Sequence, residues 1–409
     1  MEIMDNKEIC VIGLGYIGLP TASLLANRGY KVYGVDVVQS TVDIINQGKI
    51  HIVEPDLDTF VQSAVNSGNL VADTVAREAD IFIIAVPTPF KDGFVPNIDY
   101  IVSATRGLAP FVKSGNIIIL ESTSPVGTTD IMEQTLKDEG VDTSEIYFAH
   151  CPERVLPGKI MHELVHNDRI VGGTTKEATE KTAEFYRTFV SGEVLLTDAK
   201  TAEMAKLTEN SFRDVNIAFA NELSMLSGKF GTDVWEVIEL ANRHPRVNIL
   251  QPGCGVGGHC IAVDPWFIVA AAGGDAKIIK AAREVNDYKT EWVAEKIKNA
   301  SLEFENKHGR KARVACMGLA FKSDIDDLRE SPSLHITMSL IAEGLDILAV
   351  EPNIESYPGF DLVNHKEAVQ IADIIVFLVA HKEFLDLEIE DSREVISYCK
   401  MVDRRKKKR

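Results

Sequence analysis

The chain has 409 residues, 45% hydrophobic and 25% charged, and carries a formal net charge of −18. That length exceeds the roughly 250–300 residues that one core organises, so two or three domains are expected. The acidic balance excludes nonspecific nucleic-acid binding, though not capture of an anionic nucleotide at a local cluster of Arg, Lys and backbone N–H groups.

Residues 8–14, EICVIGL, form a short apolar run that stops at Gly13, and GLGYIGLP leads into a helical stretch that Gly29 ends. KVYGVD supplies a second strand ending at Asp36. Further strands are predicted in ADIFIIAVPTP and GNIIILESTSPVG, each running into a turn-rich loop. This alternation reads as a doubly wound parallel sheet with its working loops at the strand carboxyl ends. From Ala199 to Lys229 the chain is proline-free, and Thr197 or Asp198 is placed to cap a long helix there. A second α/β pattern begins near Arg310, with strands in ARVACMGLAF, DILAVEP and ADIIVFLVAH and a short one at KMVD, as a distant version of the first plan. The expected fold class is therefore α/β: two Rossmann-like sheets joined by a long central helix and a helical middle. No apolar run reaches the ~18–20 residues of a membrane span.

The start, MEIMDNKE, is too polar for a signal peptide. Six cysteines at 10, 151, 254, 260, 316 and 399 show no CxxC spacing, so neither a zinc site nor a disulfide framework is indicated, and a cytoplasmic protein without metal is expected. The last six residues, RRKKKR, read as a solvated basic tail or as a phosphate- or membrane-surface contact.

Three constellations point to chemistry. Gly13, Gly15 and Gly18 stand between strand and helix, where the backbone can approach a pyrophosphate at a helix N-terminus. Asp36 at the end of the next strand would accept bonds from ribose hydroxyls and repel a 2′-phosphate, which favours NAD over NADP. Lys206, Asn210 and Arg213 are spaced for one helix face, either a solvated stripe or a set that holds a substrate oxygen as negative charge develops. Cys260 lies in GCGVGGHCIAVDP, with Asp264 one turn on. It is either a buried structural thiol or a nucleophile whose pKa His259 and Lys206 would lower. Beside a dinucleotide fingerprint, a nucleophilic thiol suggests four-electron oxidation of a primary alcohol, since it can hold an aldehyde while a second hydride leaves.

GLGYIGLP (13–20), VPTP (86–89), STSPVGTT (122–129), PERVLPG (152–158), KLTEN (206–210), GGHCIAVDP (257–265) and FKSDIDDLRESPS (321–333) follow one another in order. Together they resemble the UDP-glucose/GDP-mannose dehydrogenase family over nearly the whole chain. The resemblance implies an NAD-binding Rossmann domain over 1–198, a central helical dimerisation and catalytic domain over 199–305, and a UDP-sugar-binding α/β domain over 306–409. It implies a homodimer or homotetramer, and Cys260 as the nucleophile.

The resemblance also implies a mechanism. The C6 hydroxyl loses a proton through water held by Asp264 or through Lys206, the aldehyde is captured on Cys260, and a thioester remains after the second oxidation. Glu153 is then the base for hydrolysis, with Lys206 and Asn210 stabilising the oxyanion and Thr123 positioning water or the nicotinamide. Tyr16, Ile17, Thr88, Thr123 and Arg329 join Gly13, Gly15, Gly18 and Asp36 around NAD. The sugar nucleotide falls to Arg154, Val155, Lys206, Asn210, Arg213, His244, Arg246, Gly257, Phe321 and Lys322. Thr41 stands where the family usually has a basic residue after the ribose aspartate.

The branch acting on UDP-glucose tends to read GGSCFPKD, whereas this chain has His259 and Val263 at the serine and lysine positions, and NRHPRVNIL resembles the branch oxidising N-acetylated hexosamines. UDP-N-acetylglucosamine and UDP-glucose are the alternative substrates. A two-electron hydroxyacid-type dehydrogenase and a binding-only regulator are the competing classes.

Overall fold

A computed structural model describes residues 7–258 and 260–401, and the chain divides into two compact units, Met1–Thr208 and Glu209–Arg409. The first unit is built on β1 (Glu8–Ile12), β2 (Lys31–Val35), β3 (Leu70–Asp73), β4 (Ile81–Ile84), β5 (Ile117–Leu120), β6 (Tyr147–His150), β7 (Arg169–Gly173) and β8 (Val194–Asp198). Their order in the sheet is β8-β7-β6-β5-β4-β1-β2-β3. Pairing is parallel except between β6 and β7, where Ala149 faces Gly173, so the last two strands run against the rest.

The apolar runs are continuous because both faces are covered. Ile9, Val11, Ile81, Ile83, Ile117 and Ile119 enter one core, and Cys10, Ile12, Phe82, Ile84, Ile118 and Leu120 the other. Strand order reverses between β1 and β4, which makes the crevice beyond their carboxyl ends the ligand position of such a sheet.

The second unit carries β9 (Arg313–Met317), β10 (Asp346–Val350), β11 (Ile374–Phe377) and β12 (Glu394–Ser397), all parallel, in the order β10-β9-β11-β12. The expected strand at KMVD is corrected here: the edge strand is EVIS, Lys400 and Met401 follow it, and residues 402 and 403 lie outside the described residues. EVIS escapes a periodicity reading because only Val395 and Ile396 are apolar and an edge strand needs no more. The likeness between the two sheets is detailed. Gly13 and Gly318 both take positive φ, and each donates its N–H to the end of the adjacent strand, to Val35 O and Val350 O at 2.8 Å. The next residues, Leu14 and Leu319, donate to Asp36 (3.0 Å) and Glu351 (2.7 Å).

Four helices position the chemistry: α1 (Gly18–Asn27), α2 (Thr128–Asp138), α3 (Ala199–Phe230) and α4 (Asp264–Ala271), with α5 (Lys277–His308) packed behind α4. Asp198 caps α3 as expected, accepting from Thr201 N at 2.9 Å. In the second unit a buried polar chain ties α3 to α5. Arg283 binds Asp214 at 2.7 Å, Asn286 reaches Asp214 at 2.8 Å, and Asn221 reaches Asn286 at 2.9 Å. Asn221 also accepts Gly253 N at 2.8 Å, so the glycine-rich loop starts from this network. Among the described residues no helix is long and apolar enough to cross a membrane.

Candidate active site

The three fingerprint glycines do three different things. Gly13 turns the chain at φ +90°, and a Cβ there would sit 2.5 Å from Ala85 O. A Cβ at Gly18 would lie 1.7 Å from Gly13 O, so this glycine lets α1 pack against the turn. A Cβ at Gly15 would meet nothing within 4 Å; its bare backbone faces open space, as a site for a pyrophosphate requires. Among the described residues α1 has no side-chain cap and no acid in its first turn, which leaves its positive end suited to an anion. Tyr16 is exposed and Ile17 half-buried at that end. The residues present therefore fit NAD, and Asp36 stands at the end of β2 with Oδ1 and Oδ2 fixed by Val38 N and Leu14 N at 3.0 Å each. Asp36→Asn is expected to raise the KM for NAD by about tenfold to a hundredfold, the scale of lost bonds to a charged acceptor. Initial rates with varied NAD and NADP check this; equal efficiency of the unaltered protein with NADP would contradict the role of Asp36.

Thr88 and Thr123 are brought together: Thr88 Oγ1 donates to Thr123 O at 2.6 Å, and Ser122 Oγ donates to Val86 O at 2.7 Å. The loop after β5 is thus stitched to the loop after β4, beside the topological switch. Behind it lies a buried ionic cluster. Glu153 is nearly buried, its Oε2 held by Arg169 Nη1 at 2.5 Å and its Oε1 by Arg154 N at 2.7 Å. Glu121 accepts from Tyr186 Oη at 2.7 Å.

Burial first, then the charge of Glu153, pushes Glu121 up from 4.5 to about 7, against the pull of Arg169. The folded chain therefore binds more protons than the unfolded chain between those pH values, so this group lowers stability as pH rises from 4.5 to 7. Glu121→Gln keeps an acceptor for Tyr186 and removes the titration. Its melting-temperature gain over the unaltered protein is expected to be small at pH 4.5 and to widen towards pH 7, about 2–4 °C for each ~1 kcal/mol in a unit of this size. Thermal melts across that range check it, and a constant difference would contradict it.

Lys206 is half-buried on α3, one turn before Asn210. His150, at the end of β6, is fully buried, and neither ring nitrogen has a partner among the described residues. Burial, then the charge of Lys206, holds its ring down at about 3, so it stays neutral.

In the second unit Asn210 Nδ2 donates to Asp264 Oδ2 at 2.5 Å, both residues being buried. Asp264 opens α4, and its N–H donates to Cys260 O at 2.8 Å, which fixes the cysteine one turn ahead of the carboxylate. Cys260 is the exposed member of the six thiols. Burial pushes Cys10 and Cys399 up to about 11 and Cys151, Cys254 and Cys316 up to about 12. Those five are protonated, four of them buried and Cys399 half-buried, so a structural role suits them and reactivity falls to Cys260. Gly255, Gly257 and Gly258 of the loop before it leave little or no room for a Cβ. A Cβ at Gly257 would lie 2.6 Å from Glu330 O and 2.7 Å from Phe321 Cβ, and Gly258 takes φ +80° against the Phe321 ring.

The other predicted residues are placed as follows. Val155 packs on the first core, and the Arg154 guanidinium lies 3.5 Å from Asp168 O. Arg213 is exposed on α3. His244 and Arg246 are exposed on a loop stapled by Asn242 to Ile249 N (2.7 Å) and Ile249 O (3.0 Å). Lys322 is exposed after the half-buried Phe321, and Arg329 grips Asp327 through Nε and Nη2 at 2.7–3.1 Å. His259, Arg405 and the RRKKKR tail lie outside the described residues. Sequence reasoning missed Glu121, Arg169 and Tyr186, and the Asp214–Arg283–Asn286 chain. The available signal was a charge beside an apolar run, as in RIVGG and IIILE.

Comparison with known proteins extends along the whole chain. Residues 7–190 match the NAD binding domain of the UDP-glucose/GDP-mannose dehydrogenase family, 200–288 its central domain, and 315–407 its UDP binding domain. UDP-N-acetyl-D-mannosamine dehydrogenase of Campylobacter jejuni is 56% identical, over 96% of this chain and 99% of that protein. NDP-N-acetyl-D-galactosaminuronic acid dehydrogenase of Ralstonia nicotianae is 53% identical, over 96% of each. Among solved structures, the UDP-D-ManNAc dehydrogenase of Pyrococcus horikoshii superposes with a TM-score of 0.88 at 38% identity, covering 97% of this chain and 96% of that one. The UDP-N-acetyl-mannosamine dehydrogenase of Staphylococcus aureus gives 0.85 at 41% identity, covering 96% and 99%.

Proposed function

Because the chain belongs to the UDP-glucose/GDP-mannose dehydrogenase family, we propose that it oxidises the C6 hydroxyl of UDP-N-acetyl-D-mannosamine to the carboxylate through a thioester on Cys260. In its coarser terms it is an NAD-dependent nucleotide-sugar dehydrogenase acting on a UDP-sugar. The names borne by the Campylobacter relative and by the Pyrococcus and Staphylococcus structures support the mannosamine. The observation that carries the covalent step is that Cys260 alone of six thiols is exposed, just after glycines that pack too closely for a Cβ.

Gly13, Gly15, Gly18, Tyr16, Ile17, Asp36, Thr88, Thr123 and Arg329 are assigned to NAD, which when bound supplies the hydride acceptor for each of two oxidations. Lys206 and Asn210, one turn apart, hold the C6 oxygen, and its proton leaves to Lys206 or to water held by Asp264. The Cys260 sulfur adds to the aldehyde carbon, forming a C–S bond while the carbonyl oxygen becomes an oxyanion stabilised by Lys206 and Asn210. Loss of the second hydride from that carbon leaves a thioester. Water then adds with its proton passing to Glu153, whose oxygens keep spare lone pairs beside their bonds to Arg169 and Arg154. The C–S bond breaks and the thiolate returns. One alcohol, two NAD and one water give one carboxylate, two NADH and three protons.

Arg154, Val155, Arg213, His244, Arg246, Gly257, Phe321 and Lys322 are assigned to the sugar nucleotide, its diphosphate charge meeting the cations among them. A homodimer or homotetramer fits the exposed Phe212, Phe219 and Leu226, which recur every seven residues along α3.

The substrate is tested by kcat/KM across UDP-N-acetylmannosamine, UDP-N-acetylglucosamine, UDP-N-acetylgalactosamine and UDP-glucose. A preference of about tenfold or more for the mannosamine is expected. Preference for the galactosamine would move the chain to the activity named for the Ralstonia relative, and preference for UDP-glucose would overturn the hexosamine reading.

A further inference from the structure

Glu203 is a fully buried carboxylate in the second turn of α3, three residues before Lys206. It pairs with no cation among the described residues. Its Oε2 accepts Gly127 N at 2.5 Å, and its Oε1 accepts Thr129 N at 2.8 Å and Thr129 Oγ1 at 2.7 Å. Those donors form the start of α2, where Gly127 takes φ +94° and offers no side chain of its own as a cap. A carboxylate there meets unpaired N–H groups and the positive end of the helix dipole. The same loop, five residues earlier, is held through Thr123 O by Thr88 Oγ1 at 2.6 Å, and Thr128 Oγ1 closes it on Pro125 O at 2.6 Å. The start of α3 is also seated directly on β7: a Cβ at Gly172 would lie 2.8 Å from Ala202 Cβ. Close packing at Gly172 fixes where the helix axis runs, and the three bonds to Glu203 fix its rotation.

We infer that Glu203 is a positioning residue that locks the turn carrying Lys206 to the loop carrying Thr123, so that the oxidation geometry depends on it. The inference rests on the proposed roles of Lys206 and Thr123. An ion pair from Lys200 to Asp130 at 2.9 Å joins the same two helices at the exposed surface and supplies a control.

Glu203→Gln, Thr129→Val, Lys200→Ala and Lys206→Ala are compared on the full chain with UDP-N-acetylmannosamine and NAD. Glu203→Gln keeps the shape but sets an NH2 donor against a backbone donor. Its kcat is expected to fall by about tenfold to a hundredfold, the scale of a small misplacement of reacting groups. KM for both substrates should stay within about twofold, and the isotope effect with C6-deuterated sugar should rise as hydride transfer becomes slower than the other steps. Thr129→Val, which loses one bond of three, should show a smaller fall with the same split and serves if the glutamine variant does not fold. Lys200→Ala should leave all three quantities unchanged. An unaltered kcat and isotope effect in the Glu203 and Thr129 variants, or a kcat loss matched only by loss of native protein, would overturn the inference. If Lys206→Ala itself kept full kcat, the reading of Lys206 would fail instead.

Discussion

Cys260→Ala is expected to abolish net formation of the uronate, lowering the rate by about four orders of magnitude or more, as loss of an enzymic nucleophile does. Five of the six thiols are protonated at any working pH because burial raises them to about 11 or 12, and four of these are buried outright. A single equivalent of iodoacetamide should therefore label the native protein at Cys260, and bound UDP-sugar should protect it. The Cys260→Ala protein should still oxidise an added aldehyde slowly through its hydrate, a reaction that needs no sulfur. Normal acid production by this variant, measured by separating the nucleotide sugars after reaction, would refute covalent catalysis.

Lys206→Ala carries the second large effect. Lys206 lies half-buried one turn before Asn210, which is itself clamped to Asp264 at 2.5 Å. An ammonium in that position opposes the negative charge that appears on oxygen at each oxidation and again when water attacks the thioester. Removing a donor aimed at a developing oxyanion costs about a hundredfold to a thousandfold in kcat. The expected result is a kcat loss on that scale with KM for the sugar changed only a few-fold, read from separate kcat and KM values. A rise in KM alone would leave Lys206 as a binding residue and end its role in the chemistry.

The fold was legible where one physical demand dominates the local sequence. A strand buried on both faces must be apolar throughout, so β1, β4 and β5 stand out, and the turn after β1 must be glycine because Ala85 and Gly13 leave no room for a Cβ. The long helix was legible from the absence of proline and from Asp198 as its cap. The edge strand EVIS was not, because an edge needs few apolar residues, and the antiparallel turn-back at β7 leaves no mark in composition.

At the site, the placement of the glycines, Asp36, Lys206, Asn210, Cys260 and Asp264 was legible because spacing puts them on a turn, at a strand end or on one helix face, whereas the roles proposed for Lys206, Asn210 and Cys260 came from the family resemblance. The supporting charges were not. Glu203, Glu121 and Arg169 find their partners 16 to 76 residues away, at distances that only the folded chain reveals.

The most direct test of the account is the yield of NADH per molecule of sugar, with UDP-N-acetylmannosamine limiting and NAD in excess. Two NADH per sugar, with a uronate as the product, is the predicted result. One NADH per sugar would contradict the four-electron chemistry and return Cys260 to a structural role.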